Sequence, residues 1–294
     1  MAIADDHMAP AQGAGRIGRM VRRALRRHLS IVLGGGILLF FIVVSLLAPV
    51  LWTTDPLLVE PIDRLQGMSA KHWFGTDMHG RDLYSRVVYG GQVSLLIGFS
   101  VAFLASVIGG IIGLFGGFVR ALDGPLMRLM DGFMSIPPIM LAIALVALTR
   151  GSIQNVVIAI TIAEIPRVSR LVRGIVLTLR EQPYVEAAVS MGARPLRIVF
   201  RHILPNAVAP IVVQATFICA SAMLAEAALS FIGAGTPPAI PSWGNILAEG
   251  RMLWQMHPSM VFLPAVALSL TVLAVNMLGD GLSDIFDPRG LSKG

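Results

Sequence analysis

The sequence contains few charged residues and only one cysteine. Charged residues make up 14% of the 294 positions and hydrophobic residues 55%, and the mean hydropathy is +0.75. A soluble domain of this size needs a more polar surface, so the composition excludes one. The lone Cys219 excludes an intrachain disulfide and a cysteine-based metal cluster. We therefore predict an integral membrane protein.

Motifs for catalysis and nucleotide binding are also missing. The chain has no GxxxxGK[ST] phosphate-binding loop and no recognisable set of nucleophile, base and orienting residue. We therefore expect no catalytic residues, no bound cofactor and no ATP hydrolysis by this chain itself. The pI near 10.4 is compatible with nucleic-acid binding. However, the arginines lie beside apolar segments without the interleaved aromatic residues of RNA-binding modules, so no nucleic-acid partner is expected.

Apolar runs that approach the length needed to cross a bilayer, about 20 residues, occur six times. The fourth is the weakest because Glu164, Pro166 and Arg167 interrupt it. Glycines in the second predict close helix packing; they are Gly109, Gly110, Gly113, Gly116 and Gly117. The sequence thus predicts an all-α membrane fold with six transmembrane helices, at residues 31–52, 93–119, 132–149, 152–171, 203–225 and 260–278.

The distribution of basic residues predicts the orientation of these helices. Of the 23 Lys and Arg residues, 17 fall on the side of the N-terminus and six on the other side. The positive-inside rule then places both termini in the cytoplasm. The predicted organisation is a basic cytoplasmic tail (1–30), a first transmembrane helix (31–52), an extracytoplasmic loop (53–91), a core with five further helices (92–283) that includes a cytoplasmic loop (180–202), and a cytoplasmic C-terminal tail (284–294).

The cytoplasmic loop carries a polar, arginine-bearing insert at residues 186–205. Gly192 permits a sharp bend, and Pro195 suits the first turn of a second short helix. Apolar residues then recur at helical spacing with arginines largely on the other side, which predicts a helix, a bend and a helix. The alternative is a basic amphipathic helix that rests on the inner leaflet. The candidate residues are Tyr184, Glu186, Ala187, Ala188, Gly192, Arg194, Arg197, Leu204 and Pro205.

The extracytoplasmic loop contains the run HWFGTDMHGRDLYSR. His72, Asp77, His79 and Asp82 are conceivable metal ligands, but neither a helical nor a strand register brings them together at a recognised metal-ligand spacing. We therefore predict a turn-rich loop and no metal site. The candidate motif residues in this loop are Gly75, Thr76, Asp77, Gly80, Arg81, Asp82, Ser85 and Arg86.

Three polar residues in or near the predicted helices are candidates for the transport pathway or a subunit interface. Glu164 could line a pathway, but pairing with Arg167 and Arg170 is the favoured interpretation, because buried charges are usually paired. Glu226, near the outer end of the fifth helix, is expected to face water or a partner subunit. Asn276 is the third candidate.

Taken in order, these motifs resemble those of the C-type permease of dipeptide and oligopeptide ABC importers. Residues 186–188, 192 and 204–205 match the family's EAA loop, and residues 74–77, 80–82 and 85–86 fill its FGTD-x-x-GRD-x-x-SR signature. Weaker matches occur at Asp131, residues 135–137, residues 226–231, residues 237–244, Asn276, residues 279–282 and residues 287–289. Only residues 1–30 fall outside the resemblance.

The resemblance implies a type I ABC importer permease fold in which residues 180–202 are the coupling loop. It also implies an inner-membrane, multi-pass subunit of a prokaryote that forms half of a translocation pathway. Its implied partners are a homologous second permease, two ATP-binding subunits that use ATP and Mg, an extracytoplasmic substrate-binding protein and membrane lipid. Di- or oligopeptides are the expected cargo, with nickel, glutathione or opines as alternatives. A stand-alone secondary transporter or a membrane-embedded enzyme are the competing classes.

Overall fold

The computed structural model describes residues 29–148 and 151–286, and the regular secondary structure of these residues is helical. The predicted tails, 1–30 and 284–294, lie almost entirely outside the described residues, as does the motif at 287–289. We number the α-helices α1 Leu29–Leu46, α2 Leu83–Phe118, α3 Arg120–Met134, α4 Pro138–Leu148, α5 Ile153–Arg180, α6 Pro183–Ser190, α7 Pro195–Ile198, α8 Leu204–Ile232, α9 Trp243–Gly250 and α10 Ser259–Phe286. Short 3-10 helices occupy Ala48–Val50 and Pro61–Asp63, and a π-helix occupies Val199–Ile203.

Among the described residues, four helical segments are long and apolar enough to cross a bilayer. They are α1, α2, α10 and the continuous segment Pro195–Ile232. The pair α3 and α4 would make a fifth, but the two helices meet at 86°, because Pro137 and Pro138 interrupt the run of backbone donors. Helix α5 is 28 residues long but carries several charges and does not meet the same standard of apolarity. The predicted count of six therefore stays a prediction.

Local sequence sets where several helices begin, and it moves some predicted boundaries. Asp82 accepts a hydrogen bond from the backbone N–H of Ser85 at 2.8 Å, so α2 begins at Leu83 rather than near residue 93. Ser152 and Ser242 cap α5 and α9 in the same way. Helix α1 ends at Leu46 and the chain turns into a 3-10 helix around Pro49, so the first helix ends before the predicted residue 52.

Helix α2 lies at the centre of the fold and packs along α5, α8, α1 and α3. Three of its glycines, Gly109, Gly113 and Gly117, are spaced four residues apart and face three valines with the same spacing on α5. A Cβ atom on Gly113 would lie 2.5 Å from the carbonyl oxygen of Ser169 and 2.8 Å from the Cβ of Val172. The two backbones are therefore close enough that only glycine fits, which confirms the predicted close packing at these three positions. Gly110 instead faces open space.

Helices α1 and α10 form a second packed pair, and α10 also contacts α8. A Cβ atom on Gly34 of α1 would lie 2.6 Å from the carbonyl oxygen of Ala274 on α10. This close contact joins the first helix to the last. The core is therefore organised around two close helix pairs, α2 with α5 and α1 with α10, and α8 packs against α2 and α10.

Candidate functional site

The loop at residues 180–202 has the predicted helix, bend and helix. Helix α6 ends in a Schellman motif: the N–H of Gly192 donates to Val189 O at 2.9 Å, and the N–H of Ala193 donates to Ala188 O at 3.0 Å. Gly192 has a φ of +75°, a left-handed conformation that side-chain-bearing residues disfavour. Pro195 then opens α7. The predicted conformation is thus present, while the loop's role stays a prediction.

The two faces of α6 differ sharply in exposure. Val185 and Ala188 are buried against the rest of the chain, whereas Tyr184, Glu186 and Ala187 are exposed. Val189 and Met191 are also exposed, at 57% and 81%. Ala188 therefore packs inside this chain rather than being free to contact a partner, and Ala187 is the small exposed residue. The outer face of α6 is left uncovered, with one carboxylate and several apolar side chains.

The second short helix is continuous with the fifth predicted span. Pro205 lacks a backbone N–H, and its ring disfavours the regular bond to the carbonyl of Arg201. The N–H of Leu204 instead reaches back five residues to Val199 O, which produces the π-helix Val199–Ile203. This corrects two expectations. The continuous helical segment begins at Pro195 rather than residue 203, and the apolar face divides, with Val199 and Ile203 buried but Leu196 and Phe200 exposed.

Charged side chains surround the base of α6 on the same side of the molecule as the end of α2. Glu181 and Glu186 line a polar cavity of about 390 Å³ with Arg120, Asp123 and Arg180. The guanidinium of Arg180 donates to Gly117 O at 2.9 Å and Phe118 O at 3.2 Å, the last residues of α2. The last residue of α5 is therefore tied to the end of α2, and only two residues separate it from the start of α6. Arg194 and Arg197 are exposed at the start of α7.

The outer loop contains a buried group of four charged side chains, which we call the outer cluster: Asp77, Arg81, Arg86 and Glu249. Oδ2 of Asp77 accepts from Nε of Arg81 and from Nη1 of Arg86, each at 2.6 Å. Glu249 accepts from Nη2 of Arg81 at 2.8 Å and from Nη2 of Arg86 at 3.0 Å. Two positive and two negative charges thus neutralise each other, and they hold the outer loop, α2 and α9 together.

The environment of Asp77 favours its charged form. Its side chain is fully buried, and this burial by itself would raise the pKa. The nearby guanidinium groups of Arg86 and Arg81 and the backbone N–H groups of Arg81 and His79 outweigh that effect, and they hold the pKa of Asp77 below its ordinary value of 3.8. Asp77 is therefore ionised at neutral pH.

The other residues of the outer-loop motif shape the backbone around this cluster. Gly75 and Gly80 both have positive φ, and a Cβ atom on Gly80 would lie 1.8 Å from the carbonyl oxygen of Glu60. Thr76 Oγ1 accepts from the backbone N–H of Gln66 at 2.8 Å. Ser85 Oγ donates to Asp82 at 2.6 Å and accepts from the backbone N–H of Thr54 at 2.9 Å. The loop is therefore a folded, hydrogen-bonded unit rather than a simple series of turns.

The four conceivable metal ligands do not form one group. His72 Nδ1 lies 3.0 Å from Asp82 Oδ1, and His72 also belongs to a set with Glu60 and Asp63, whereas Asp77 and His79 lie with Glu249. In both sets the carboxylates already bind cationic side chains: Lys71 contacts Glu60 and Asp63, and the two arginines contact Asp77 and Glu249. The prediction that no metal binds here stays a prediction.

Glu164, one of two buried glutamates, forms an ion pair within this chain. Glu164 pairs with Arg167 at 3.2 Å and accepts from Ser221 Oγ, also at 3.2 Å. The expected pair with Arg167 is therefore present, but Arg170 pairs with Asp131 instead, at 2.6 Å.

Glu226 is fully buried, so the expectation that it faces water or a partner subunit is wrong for this chain. Its Oε1 accepts from Ser230 and Ser242, each at 2.8 Å, and from Thr236 at 3.3 Å. Ser230 lies on α8 itself, one turn after Glu226, and the loop after α8 folds back to supply Thr236 and Ser242. Asn276 lies half-buried on α10, and its side chain has no hydrogen bond with a described residue.

Glu249 is the residue that sequence reasoning missed. It lies 163 positions from Arg86, so no local pattern connects the two. A charge count would not have found it, because Asp77 and Asp82 balance Arg81 and Arg86 in the motif. Only the structure shows that Asp82 bonds His72 and Ser85 instead of the arginines.

Comparisons with known proteins agree with these features. The family described as the inner membrane component of binding-protein-dependent transport systems matches residues 105–290. The N-terminal transmembrane domain of oligopeptide transport permease C matches residues 17–67.

Individual relatives align over nearly the whole chain. A probable peptide ABC transporter permease of Sinorhizobium fredii is 50% identical over 95% of this chain and 96% of its own length. A dipeptide transport system permease of Alkalihalophilus pseudofirmus is 42% identical over 91% and 88%. A glutathione transport system permease of Pectobacterium atrosepticum is 40% identical over 91% and 89%.

A solved structure shares the fold. An inward-facing form of the MetNI methionine ABC transporter superposes with a TM-score of 0.57 at 23% identity, covering 70% of this chain and 98% of the compared chain.

Proposed function

Because this chain belongs to the family of inner-membrane components of binding-protein-dependent transport systems, the permeases of ABC importers, we propose that it forms half of a translocation pathway with a homologous second permease. Members of this family are non-enzymatic membrane subunits that work with ATPase and substrate-binding partners. In our proposal two ATP-binding subunits bind ATP and Mg, and this chain transmits their movement. The proposal rests mainly on one observation: the outer face of α6 is exposed, and α6 is joined to α7 by a sharp bend.

The connections of α6 provide a physical route for coupling. Two residues link it to the end of α5, where Arg180 bonds to the last carbonyls of α2. On its other side the bend at Gly192 leads into the continuous helical segment Pro195–Ile232. An ATPase that moves α6 therefore pulls on α2, α5 and α8 together. In the proposed mechanism of alternating access these helices rock as rigid bodies when ATP binding closes the ATPases, and the central pathway opens outward.

The proposed orientation has both termini in the cytoplasm of a prokaryote, with α6 and α7 on the cytoplasmic side of the inner membrane. The support is the excess of Lys and Arg on that side. The outer cluster and α9 then lie at the extracytoplasmic surface. There, four mutually neutralised charges fix the loop between α1 and α2 onto α9, and we propose that this rigid surface receives the substrate-binding protein.

The proposed cargo is a di- or oligopeptide, in line with the names of the relatives from Sinorhizobium fredii and Alkalihalophilus pseudofirmus, which are peptide and dipeptide permeases. A glutathione importer is the second candidate, because a permease of that function is 40% identical to this chain. Nickel and opines remain alternatives from the family resemblance. The binding protein's ligand decides among these cargoes.

The experiment that tests the proposal is purification with a tag on this chain, followed by cross-linking. A cysteine at Ala187, on the exposed face of α6, is expected to cross-link to a co-purified ATPase subunit. A cysteine at Ala188, which is buried in the same helix, is the matched control and is expected to react poorly. A chain that purifies alone and transports without ATPase subunits would instead establish a secondary transporter.

A further inference from the structure

An apolar groove lies beside the second half of the coupling loop, and we call it the inner groove. One wall is the last part of α2, from Ser106 to Phe118, and the other is formed by residues between Pro195 and Ile211. Its volume is about 590 Å³, and Ser106 is the one polar side chain that lines it. Gly110 in the first wall leaves open space where other residues would place a side chain. The inner groove is therefore a deep and almost wholly hydrophobic feature of the described chain.

The length of the inner groove matches one leaflet of a membrane. Residues 106–119 of its first wall span about 20 Å at the helical rise of 1.5 Å per residue. With its headgroup regions a bilayer is about 40–45 Å thick, so one leaflet with its headgroups spans about 20 Å. A helix from another subunit would have to continue well beyond the groove to cross the membrane. In the proposed orientation the groove begins at the inner surface of the membrane, so it ends near the middle of the bilayer, where an acyl chain also ends.

Basic residues stand on the segment that forms the second wall. Arg194, Arg197 and Arg201 are exposed, and none of them forms an ion pair with a described residue. Positions 193–203 contain no acidic residue. Leu196 and Phe200 on the same segment are exposed at 69% and 62% and line the groove. This combination of apolar side chains and unpaired arginines is typical of helices that bind a membrane surface containing anionic lipid.

We infer that the inner groove binds an anionic phospholipid, with an acyl chain along α2 and the phosphate beside Arg194, Arg197 and Arg201. The inference rests on the proposed orientation, which puts this segment at the inner leaflet. The lipid would contact the same helical segment that leads from α6 into α8. Both interpretations of the insert, as a docking loop and as a membrane-surface helix, then apply to different faces of one segment.

Native mass spectrometry of the purified transporter complex tests this inference. The complex is reconstituted in nanodiscs of equal phosphatidylglycerol and phosphatidylcholine, released into detergent, and the retained lipids are counted. We expect phosphatidylglycerol to be retained at least about tenfold over phosphatidylcholine. Gly110→Leu, which fills the groove, should abolish this retention. Gly36→Leu is the matched control, because Gly36 is also a helical glycine with nothing within 4 Å of an added Cβ, and it should retain lipid like the wild type.

The arginines are tested separately by replacing Arg194, Arg197 and Arg201 with Gln, which should remove the preference for phosphatidylglycerol. Wild-type retention in either the Gly110→Leu or the triple variant would overturn the inference. A cysteine at Gly110 that cross-links to the second permease would also overturn it, since a protein helix would then fill the groove. Co-purification of ATPase subunits is scored in the same samples, so a failure of the proposed function is recognised independently of lipid retention.

Discussion

Removal of Glu249 is predicted to destabilise the fold more than removal of any exposed acidic residue. Glu249→Ala deletes the contacts with Arg81 and Arg86 and leaves two guanidinium groups to share Asp77. The side chain of Arg86 is 1% exposed, so it cannot regain its hydration. Breaking a buried ion pair by removing one partner costs about 3–5 kcal/mol. Since the side chain of Glu249 is itself 15% exposed and water reaches it, we expect a loss near the lower end, about 3 kcal/mol.

The assay is equilibrium unfolding in mixed detergent micelles, followed by tryptophan fluorescence. Trp243 suits this assay because it is 1% exposed on α9 and donates from Nε1 to Val87 O of α2 at 2.9 Å. Glu60→Ala is the matched control: the side chain of Glu60 is 42% exposed and its ion pair with Lys71 is long, at 3.4 Å, so its loss should cost less than about 1 kcal/mol. Equal unfolding free energies for the two variants would refute the reasoning.

Two further measurements separate charge balance from lost packing. The double variant Arg86→Met with Glu249→Leu leaves the complete pair of Asp77 and Arg81, so it should be more stable than Glu249→Ala although more atoms change. Acid provides the second test. Because the folded pKa of Asp77 lies below its ordinary value of 3.8, its contribution is fully present above about pH 4 and is lost as pH falls through the lower folded value. If Asp77→Asn leaves the unfolding free energy unchanged at neutral pH, the charge of Asp77 does not contribute to stability as we predict.

Three other predictions concern the orientation of the chain, the two outer-loop histidines and the glycine contact of α2. In a background with Cys219 replaced, a cysteine at Ser69 should react with an impermeant thiol reagent added outside the cell, whereas one at Ser190 should require permeabilised cells; the reverse pattern would overturn the orientation. Replacing His72 and His79 by Asn should leave uptake intact and insensitive to chelators, with a stability loss of about 1 kcal/mol from the bond between His72 and Asp82; lost uptake that added metal restores would reveal a metal site. Gly113→Ala should reduce the amount of folded permease, because its Cβ would lie 2.5 Å from Ser169 O, while Gly110→Ala in the same helix should not; equal yields would show that the glycine contact is dispensable.

Features with a local cause are the ones that the sequence alone predicts well. The apolar runs predict α1, α2 and α10, and Gly192 predicts the end of α6 because its neighbours offer no other residue suited to positive φ. The glycines at spacing four in α2 predict a close helix contact, although not which helix supplies it. The outer-loop motif marks the residues around Asp77 because they lie within a dozen positions of one another.

Features that depend on distant contacts or on small shifts in helical register could not be predicted in this way. Glu249 joins the outer cluster across 163 positions, and the following loop covers Glu226 by returning with two hydroxyl donors, Thr236 and Ser242. The π-helix before Pro205 rotates the apolar face, which leaves Phe200 exposed where simple periodicity buries it. In each case the sequence contains the residues, but their relative placement is decided by tertiary packing.

The coupling role of the loop is tested most directly at Gly192. A Cβ atom there meets nothing within 4 Å, so substitution acts through the φ of +75° rather than through a clash within this chain. Gly192→Val should strain the bend by about 1–3 kcal/mol, whereas Gly192→Asn, which tolerates this conformation, is the matched control. Glu186→Ala should weaken docking more mildly, because it removes one exposed charge and keeps the helix.

The measurement is uptake, together with ATP hydrolysis stimulated by the binding protein, in reconstituted complexes whose subunit content is verified by gel. We predict that Gly192→Val inserts and assembles but loses both activities, that Glu186→Ala retains part of them, and that Gly192→Asn retains most. Wild-type uptake and stimulated hydrolysis from Gly192→Val would contradict the account, because the bend between α6 and α7 would then have no part in coupling.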